Sequence, residues 1–238
     1  MALAVAVLTS VAVSGTFGND SGEGNKLCIV QSVMERDTDG LREIPNNPDD
    51  PNTRKLLPAV NETITQKSVS LKGSFTVNDN SITVSVDLSA EMYTAENALD
   101  HIVVVTNAGN VSGYIRTWFA FEMGDLTKEE FEASVCLNRN EDDWEWDKFQ
   151  YGVEIGGNRY AVVYATYKDS LASGATTAPS LLQILLKHTV SNETAERLDG
   201  NGDGKYEIKA LSRAVSDKEA WGSATLPAPW ADETADKS

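Results

Sequence analysis

Residues 102–121 read IVVVTNAGNVSGYIRTWFAF, and this stretch decides the fold class that the sequence predicts. Two apolar runs, rich in β-branched and aromatic residues, flank a short polar break at 107–110, Asn-Ala-Gly-Asn. Asn and Gly tolerate the left-handed backbone that tight connections require. The pattern therefore predicts a buried hairpin, or a tight strand-to-strand connection, at the centre of an all-β domain.

A second hairpin is predicted just upstream by strict alternation of apolar and polar residues. In 68–77 every second position is apolar or glycine, and 81–88 repeats the alternation from Ile82 to Leu88. The turn between them is Asn78-Asp79-Asn80. Such a pattern indicates two antiparallel strands with one buried and one wet face.

The rest of the chain adds more strands and few helices. Helix starts are indicated by a capping box, Thr127 with Glu130, and by a capping Ser191, while 216–221 offers a short turn. We expect a short helix or loop at 90–101 and a long surface loop at 36–58, which is rich in Pro, Asn and Asp. Further strands are predicted at 27–35, 151–155, 159–167, 180–190 and 206–215.

These elements together predict an all-β fold, a jelly-roll-like β-sandwich decorated with a few short helices. The expected buried positions are Val69, Phe75, Val84, Val104, Ile115, Phe119, Val163 and Leu182.

Three segments, in this order along the chain, resemble the TasA/camelysin-like family of secreted bacterial matrix-fibre proteins. The first is the strand pair of 102–121, similar to the family's V-x-N-T-G-N-x-x-A-Y-I-R-T. The second is the Trp- and Asp-rich turn NEDDWEWDKF at 140–149. The third, ATYKDSLASGATTAPSLLQILL at 165–186, is similar to G-x-T-T-A-P-S-L-L-Q. The resemblance covers roughly 60–215. It implies a fibre-forming subunit and supports a strand at 180–190, where periodicity alone is ambiguous.

Export is expected from the first eighteen residues, an apolar run of small and β-branched residues whose length is typical of a secretory signal. Its 14–17 stretch resembles the family's processing region for a dedicated signal peptidase, although a basic residue first occurs at Lys26. We divide the chain into an export signal or its remnant (1–18), an N-terminal extension (19–58), the β-domain (59–222) and a flexible acidic tail (223–238). The expected location is extracellular, on the cell surface or in a biofilm matrix.

The charge of the chain argues against one class of partner. Its 36 acidic and 20 basic residues give a net charge of −16. Such a surface repels phosphate backbones, so nucleic acid is not an expected partner. It suits an exported protein and can attract divalent cations.

The sequence offers few parts for catalysis. It contains two histidines, His101 and His188, and no H-E-x-x-H, no G-x-S-x-G and no Walker loop. We interpret both histidines as structural and expect no enzyme. Cys28 and Cys136 could form one disulfide or remain independent buried thiols. The aromatic residues Trp144, Trp146, Phe149 and Tyr151 could form a carbohydrate platform, but capping an open end of the sandwich is the favoured interpretation.

One stretch has the ligand order of a calcium loop. Asp199, Asn201 and Asp203 supply oxygens at positions 1, 3 and 5, Lys205 a backbone carbonyl at 7, and Glu207 a carboxylate at 9. Position 12, where a bidentate Glu belongs, is Ala210. Ca²⁺ is therefore a hypothesis, and a Gly-rich turn shaped by Asp and Asn is the alternative.

Two functions of different classes follow. The first is an exported subunit that polymerises head-to-tail with itself into a pilus-like filament, alone or with other matrix or cell-surface proteins. Strand addition would join neighbours, with Leu27, Ile29 and Val33 as the apolar positions of the polymerisation strand and Gln31 as a polar interruption. The alternative is a secreted metal-dependent protease of the camelysin type or a carbohydrate-binding jelly roll.

Overall fold

The computed structural model describes residues 25–37, 40–43, 65–77, 82–94, 98–187, 189–202 and 206–221, and one short strand pair at 4–5 and 55–56. The strands are β1 (Ala4–Val5), β2 (Ile29–Asp37), β3 (Gly40–Glu43), β4 (Lys55–Leu56), β5 (Gln66–Val77), β6 (Ile82–Tyr93), β7 (Leu99–Asp100), β8 (Ile102–Asn107), β9 (Tyr114–Glu122), β10 (Val135–Arg139), β11 (Trp144–Trp146), β12 (Gln150–Ile155), β13 (Asn158–Tyr167), β14 (Leu181–Leu186) and β15 (Ile208–Val215). The helices are α1 (Lys128–Ser134), α2 (Asn192–Arg197) and a 3-10 helix at Lys218–Trp221.

Two antiparallel sheets form the body of the domain. In the first sheet, β2 lies between β3 and β8, while β14 lies between β10 and β7. Backbone hydrogen bonds join these two groups, because Thr177 N–H donates to Val105 O and Ser180 N–H to Val103 O, each at 2.9 Å. The second sheet has the order β11-β13-β9-β15, and β12 also pairs with β13.

The main core lies between the two sheets. Val103 and Val105 of the first sheet share one buried cluster with Phe119, Val163 and Ile208 of the second. Facing sheets that bury alternate residues form a sandwich. The fold is thus all-β with a few short helices, which confirms the predicted class.

The β5–β6 hairpin covers the outer face of the first sheet. It pairs without a break from Gln66↔Tyr93 to Val77↔Ile82. Its Val84, Leu88 and Met92 are buried in a second cluster together with Val30 and Val104. Strands β2 and β8 are therefore covered on both faces, one by the inter-sheet core and the other by the hairpin.

Most of the predicted buried positions are confirmed. Six of them are at most 5% exposed: Val84, Val104, Ile115, Phe119, Val163 and Leu182. Val69 is only half-buried against the outer cluster, because it lies toward the open end of the hairpin. The side chain of Phe75 lies outside the described residues.

The motif at 102–121 does not form a hairpin. Strands β8 and β9 pair in different sheets, so the motif is the other predicted form, a tight connection. Asn107 organises it: its Nδ2 donates to Val111 O (2.8 Å) and Leu171 O (3.0 Å), and its Oδ1 accepts from Gly109 N–H (2.9 Å). These bonds turn the chain from one sheet to the other.

The same connection also holds the start of β2. Ala108 and Gly109 both donate backbone N–H groups to Cys28 O, at 2.8 and 3.1 Å, and Asn110 N–H donates to Lys26 O at 2.9 Å. A Cβ on Gly109 would stand 2.2 Å from Lys26 O, a distance that no side chain can occupy. Glycine is required here by the close approach of two backbones.

Both predicted helix starts are confirmed. Thr127 Oγ1 accepts from Glu130 N–H while the Glu130 carboxylate accepts from Thr127 N–H, which completes the capping box of α1. Ser191 caps α2 by accepting from Thr194 N–H at 3.1 Å.

Two loop assignments are wrong in part. Within the predicted loop 36–58, Gly40–Glu43 is β3, which pairs with β2, and Lys55–Leu56 pairs with Ala4–Val5. Within 90–101, β6 continues to Tyr93, and Leu99–Asp100 pairs with β14. The sequence also gives no warning of β10, which follows α1 directly. The rest of 1–18, most of 44–64 and all of 223–238 lie outside the described residues.

A buried polar relay joins the two sheets at Gln31. The side chain is 2% exposed; its Nε2 donates to Ala210 O (3.1 Å) and its Oε1 accepts from the Ser212 hydroxyl (2.7 Å). Thr117 Oγ1 lies 2.8 Å from Ser212 Oγ. Because its polar atoms are satisfied, this residue links β2 to β15 across the core.

We expect Gln31→Ala to lower the free energy of unfolding by about 1–3 kcal/mol, since Ala210 O loses its side-chain partner in a buried site. Urea unfolding measures the effect. The matched control, Gln66→Ala, removes an exposed side chain and should change stability by less than about 0.5 kcal/mol. Equal effects of the two substitutions would contradict the claim that the buried hydrogen bonds of Gln31 stabilise the fold.

Candidate functional site

The candidate calcium loop is held at both ends by one buried carboxylate, Glu122 at the end of β9. Its Oε1 accepts from Gly200 N–H and its Oε2 from Glu207 N–H, each at 2.9 Å. Glu122 N–H in turn donates to Glu207 O at 3.0 Å. The side chain is fully buried. Glu122 therefore brings the two ends of 199–207 together.

The electrostatics of Glu122 are unusual for an acid. The pKa of Glu122 is raised to about 8, mainly by burial and also by the nearby charges of Glu207 and Asp199, while the two backbone donors act in the opposite direction. A carboxyl group at this position resists ionisation because water cannot reach it.

The predicted ligands have different surroundings. Asp199 Oδ1 accepts from Gly202 N–H at 2.8 Å, which forms a turn of the kind that Asp favours. The Glu207 side chain is 9% exposed and its carboxylate accepts a hydrogen bond from the Tyr160 hydroxyl. Asn201 lies on the exposed side of the loop. Asp203 and Lys205 lie outside the described residues.

Within the described ranges, no three His, Cys, Asp or Glu side chains are grouped as metal ligands. The calcium hypothesis stays a prediction, because its ligand Asp203 lies outside the described residues. Glu122 is the residue that sequence reasoning missed. Glu122 belongs to no motif that includes the 199–207 loop. The one signal in the sequence was a Glu that directly follows the apolar run Phe119-Ala-Phe121.

The predicted polymerisation strand is buried in the core of its own domain. Leu27, Ile29 and Val33 are at most 6% exposed and belong to the inter-sheet core, and Gln31 points into the same core. The polar interruption that weakens the apolar alternation therefore has its own partners on β15.

The aromatic cluster packs on the core between the two sheets. Trp144 is 1% exposed, and its Nε1 donates to Ala178 O at 2.9 Å. Trp146 stacks on Phe119 with ring centres 5.2 Å apart, and Phe149 and Tyr151 pack against the same core. Trp144 and Trp146 share a face, as their spacing predicts.

The described histidine is a core residue. His101 is 1% exposed, and neither ring nitrogen has a hydrogen-bond partner. Burial lowers the pKa of His101 to about 3, so the ring is neutral at physiological pH. His188 lies outside the described residues. Cys28 and Cys136 are both unbridged, and Cys136 Sγ lies 3.3 Å from the Tyr93 hydroxyl.

The sequence matches no protein-family model, and no curated protein or solved structure matches it. In the part of the chain that the structure describes, no helix is long and apolar enough to cross a bilayer.

If the 199–207 loop binds Ca²⁺, millimolar calcium should raise the melting temperature relative to EGTA, because a ligand that binds only the folded state adds RT ln(1+[L]/Kd) of stability. Replacing Asp199 and Asp203 together by Ala should abolish the difference, which differential scanning calorimetry measures. Asp169→Ala removes an exposed carboxylate elsewhere and should leave the shift intact. A wild-type melt that does not respond to millimolar calcium would support the turn interpretation.

Proposed function

We propose that this protein is an exported structural subunit that self-assembles head-to-tail into fibres on the cell surface or in a biofilm matrix. Neighbours would be joined by strand exchange. The TasA/camelysin-like resemblance of 102–121, 140–149 and 165–186 supports the class of function. The location of β2 supports the mode of assembly, and it is the single observation on which the proposal rests.

Strand β2 makes nearly all of its contacts with elements that follow it in the chain. It pairs with β8 from Ile29↔Asn107 to Met34↔Ile102, and Gln31 bonds to β15. An identical strand from a neighbour would make the same contacts, so exchange loses no core burial. Such a contact is heterologous, and repeated exchange gives a filament when the rotation between subunits does not close into a ring.

The energetics require that the slot between β8 and the hairpin be filled. Five apolar side chains of this segment are at most 6% exposed: Leu27, Ile29, Val30, Val33 and Met34. Their burial contributes roughly 8–15 kcal/mol by transfer values per side chain. That is comparable to the whole net stability of a typical domain, about 5–15 kcal/mol. Either the chain's own strand or a neighbour's must therefore occupy the slot.

The chain between β3 and β5 is long enough for exchange. Residues 44–64 can span at most about 70 Å when fully extended. A compact domain of this size is roughly 40 Å across. The length of 44–64 therefore permits the β2–β3 hairpin to reach an adjacent subunit.

The remaining parts of the proposal rest on the sequence. Export is proposed from the 1–18 segment, other matrix or cell-surface proteins are possible co-partners, and Ca²⁺ at 199–207 would be a structural ion. We propose neither nucleic acid as a partner nor an enzymatic activity.

A carbohydrate-binding role is the second candidate, favoured by a cavity of about 240 Å³ on the outer face of the second sheet. Its aromatic walls are Tyr164 and Trp221, and the Arg116 guanidinium lies 4.4 Å from the Tyr164 ring centre and 4.6 Å from that of Trp221. Glu145 and Asp147 face the same space. Aromatic rings beside paired polar groups suit a sugar ring. Among the described residues, no group of metal ligands supports the camelysin-type protease.

A disulfide trap tests the exchange. Ala108 N–H donates to Cys28 O, so these two residues form a hydrogen-bonded pair. Along β2 and β8, hydrogen-bonded and non-hydrogen-bonded pairs then alternate, which makes Val33↔Val103 a non-hydrogen-bonded pair. The Cβ atoms of such a pair are close enough for a disulfide. Val33→Cys with Val103→Cys is made in a background where Cys28 and Cys136 are Ser. Fibres oxidised after assembly should give a ladder of covalent multimers on non-reducing gels, and monomers oxidised beforehand should not assemble.

The control pair is Ala120→Cys with Val162→Cys, on strands that do not exchange, and it should give monomer bands in every condition. Fibres in which the Val33–Val103 disulfide stays within one chain would show that subunits stack without exchange. Monodisperse particles under negative stain, in all assembly conditions, would contradict the fibre function itself.

A further inference from the structure

The outer edge of β6 has no neighbouring strand within the described ranges. β6 pairs with β5 on one side only. Thr94 N–H donates to Thr65 O, so this is a hydrogen-bonded pair of the antiparallel hairpin, and such pairs recur at every second residue. The even-numbered residues of β6 therefore bond to β5, and the odd-numbered residues direct their backbone N–H and C=O groups away from β5. The outward-facing residues in the middle of the strand are Ser85, Asp87 and Ser89.

Side chains of the first sheet already satisfy one end of this edge. Gln183 Oε1 accepts from Tyr93 N–H (2.6 Å), and Gln183 Nε2 donates to Tyr93 O (3.2 Å). Asn138 Nδ2 donates to Glu91 O at 2.8 Å. These two buried side-chain amides supply the hydrogen bonds that a neighbouring strand would supply, but only as far along the edge as Glu91. From Ser89 to Ser85 the edge has no such partner in the part of the chain that the structure describes.

A groove of about 800 Å³ runs beside this open part of the edge. Val86, Leu88 and Leu182, each at most 8% exposed, contribute a small apolar surface to it, and the segments 138–143 and 176–179 form its other side. An extended segment placed there would meet apolar surface with every second side chain and the backbone of β6 with its amides.

The charge of the groove indicates the partner. Its carboxylates are Asp87, Glu91, Glu141, Asp142 and Asp143. The one basic residue among its lining residues in the described ranges is Arg139, which is paired with Glu141 at 2.6 Å, while Lys72 of β5 pairs with Asp87 at 2.9 Å. A second copy of β6 would bring like charges together, which disfavours pairing of the edge with itself. A basic segment would be attracted.

We propose that the open edge of β6 binds an extended segment of another protein as an added strand, with small apolar residues at alternate positions and Lys or Arg between them. This surface is the edge of β6 that faces away from β5. It does not involve the slot that β2 occupies, so the proposal goes beyond the strand exchange proposed above. A subunit using both surfaces could polymerise through one and recruit a basic partner through the other.

Hydrogen exchange of the free protein, read residue by residue by NMR, tests the edge. The amides of Ser85, Asp87 and Ser89 should exchange at least tenfold faster than those of Val84, Val86 and Leu88, which bond to β5. Equal protection of the two sets would overturn the proposal, because it would mean that the edge is already paired.

Binding is tested on the full chain with the probe peptide acetyl-KVTVKVTK-amide, which should bind saturably and protect the odd-numbered amides. Ser89→Pro removes one outward N–H at a position where an edge strand tolerates proline. It should weaken binding at least tenfold, whereas Ser89→Ala, which keeps the N–H, should not. Asp87→Lys with Asp142→Lys should also weaken binding, and Glu154→Lys on the exposed face of β12 should not.

Three outcomes of the binding experiment would overturn the proposal. No binding at millimolar peptide would show that the groove does not accept a strand. Binding that is unchanged by Ser89→Pro, or matched by the acidic peptide acetyl-EVTVEVTE-amide, would show association without strand addition. Neither result bears on fibre formation, which the disulfide trap reads separately.

Discussion

The burial of β2 on both faces is the constraint on which the rest of the structure depends. Its odd-numbered positions face the core between the sheets, and its even-numbered positions lie under the β5–β6 hairpin. A strand that is half-buried contributes to one interface, but this one contributes to two. Removing it would open both the sandwich core and the outer cluster, so the N-terminal strand is the part that joins the layers into one domain.

Polar groups determine the register of this strand. A slip of one residue would move Gln31 from β15 to the underside of the hairpin and leave its amide without partners. At the other end of the segment, the close approach of Gly109 to the backbone of Lys26 admits no side chain. The two features fix where β2 starts and which face it buries. Any strand that replaces it, including one from a neighbour, must satisfy the same two requirements.

Local signals predicted what local physics determines. Strict alternation gave the β5–β6 hairpin, and the Thr127–Glu130 capping box gave α1, because both patterns depend on residues close in sequence. The motif at 102–121 was harder. Its polar break is compatible with a hairpin and with a crossing between sheets, and the choice depends on Asn107 reaching Leu171, 64 residues away. Glu122 was missed for the same reason, since its partners at Gly200 and Glu207 are not near in sequence.

The most direct test of this account is complementation of a chain that lacks residues 1–37 by a synthetic peptide of residues 25–37. The account predicts that the truncated chain binds the hydrophobic dye ANS and melts at a lower temperature. Adding the peptide should reverse both effects, whereas a peptide carrying Ile29→Asp and Val33→Asp should not. A truncated chain that melts like the full-length protein and ignores the peptide would contradict the claim that β2 joins the layers.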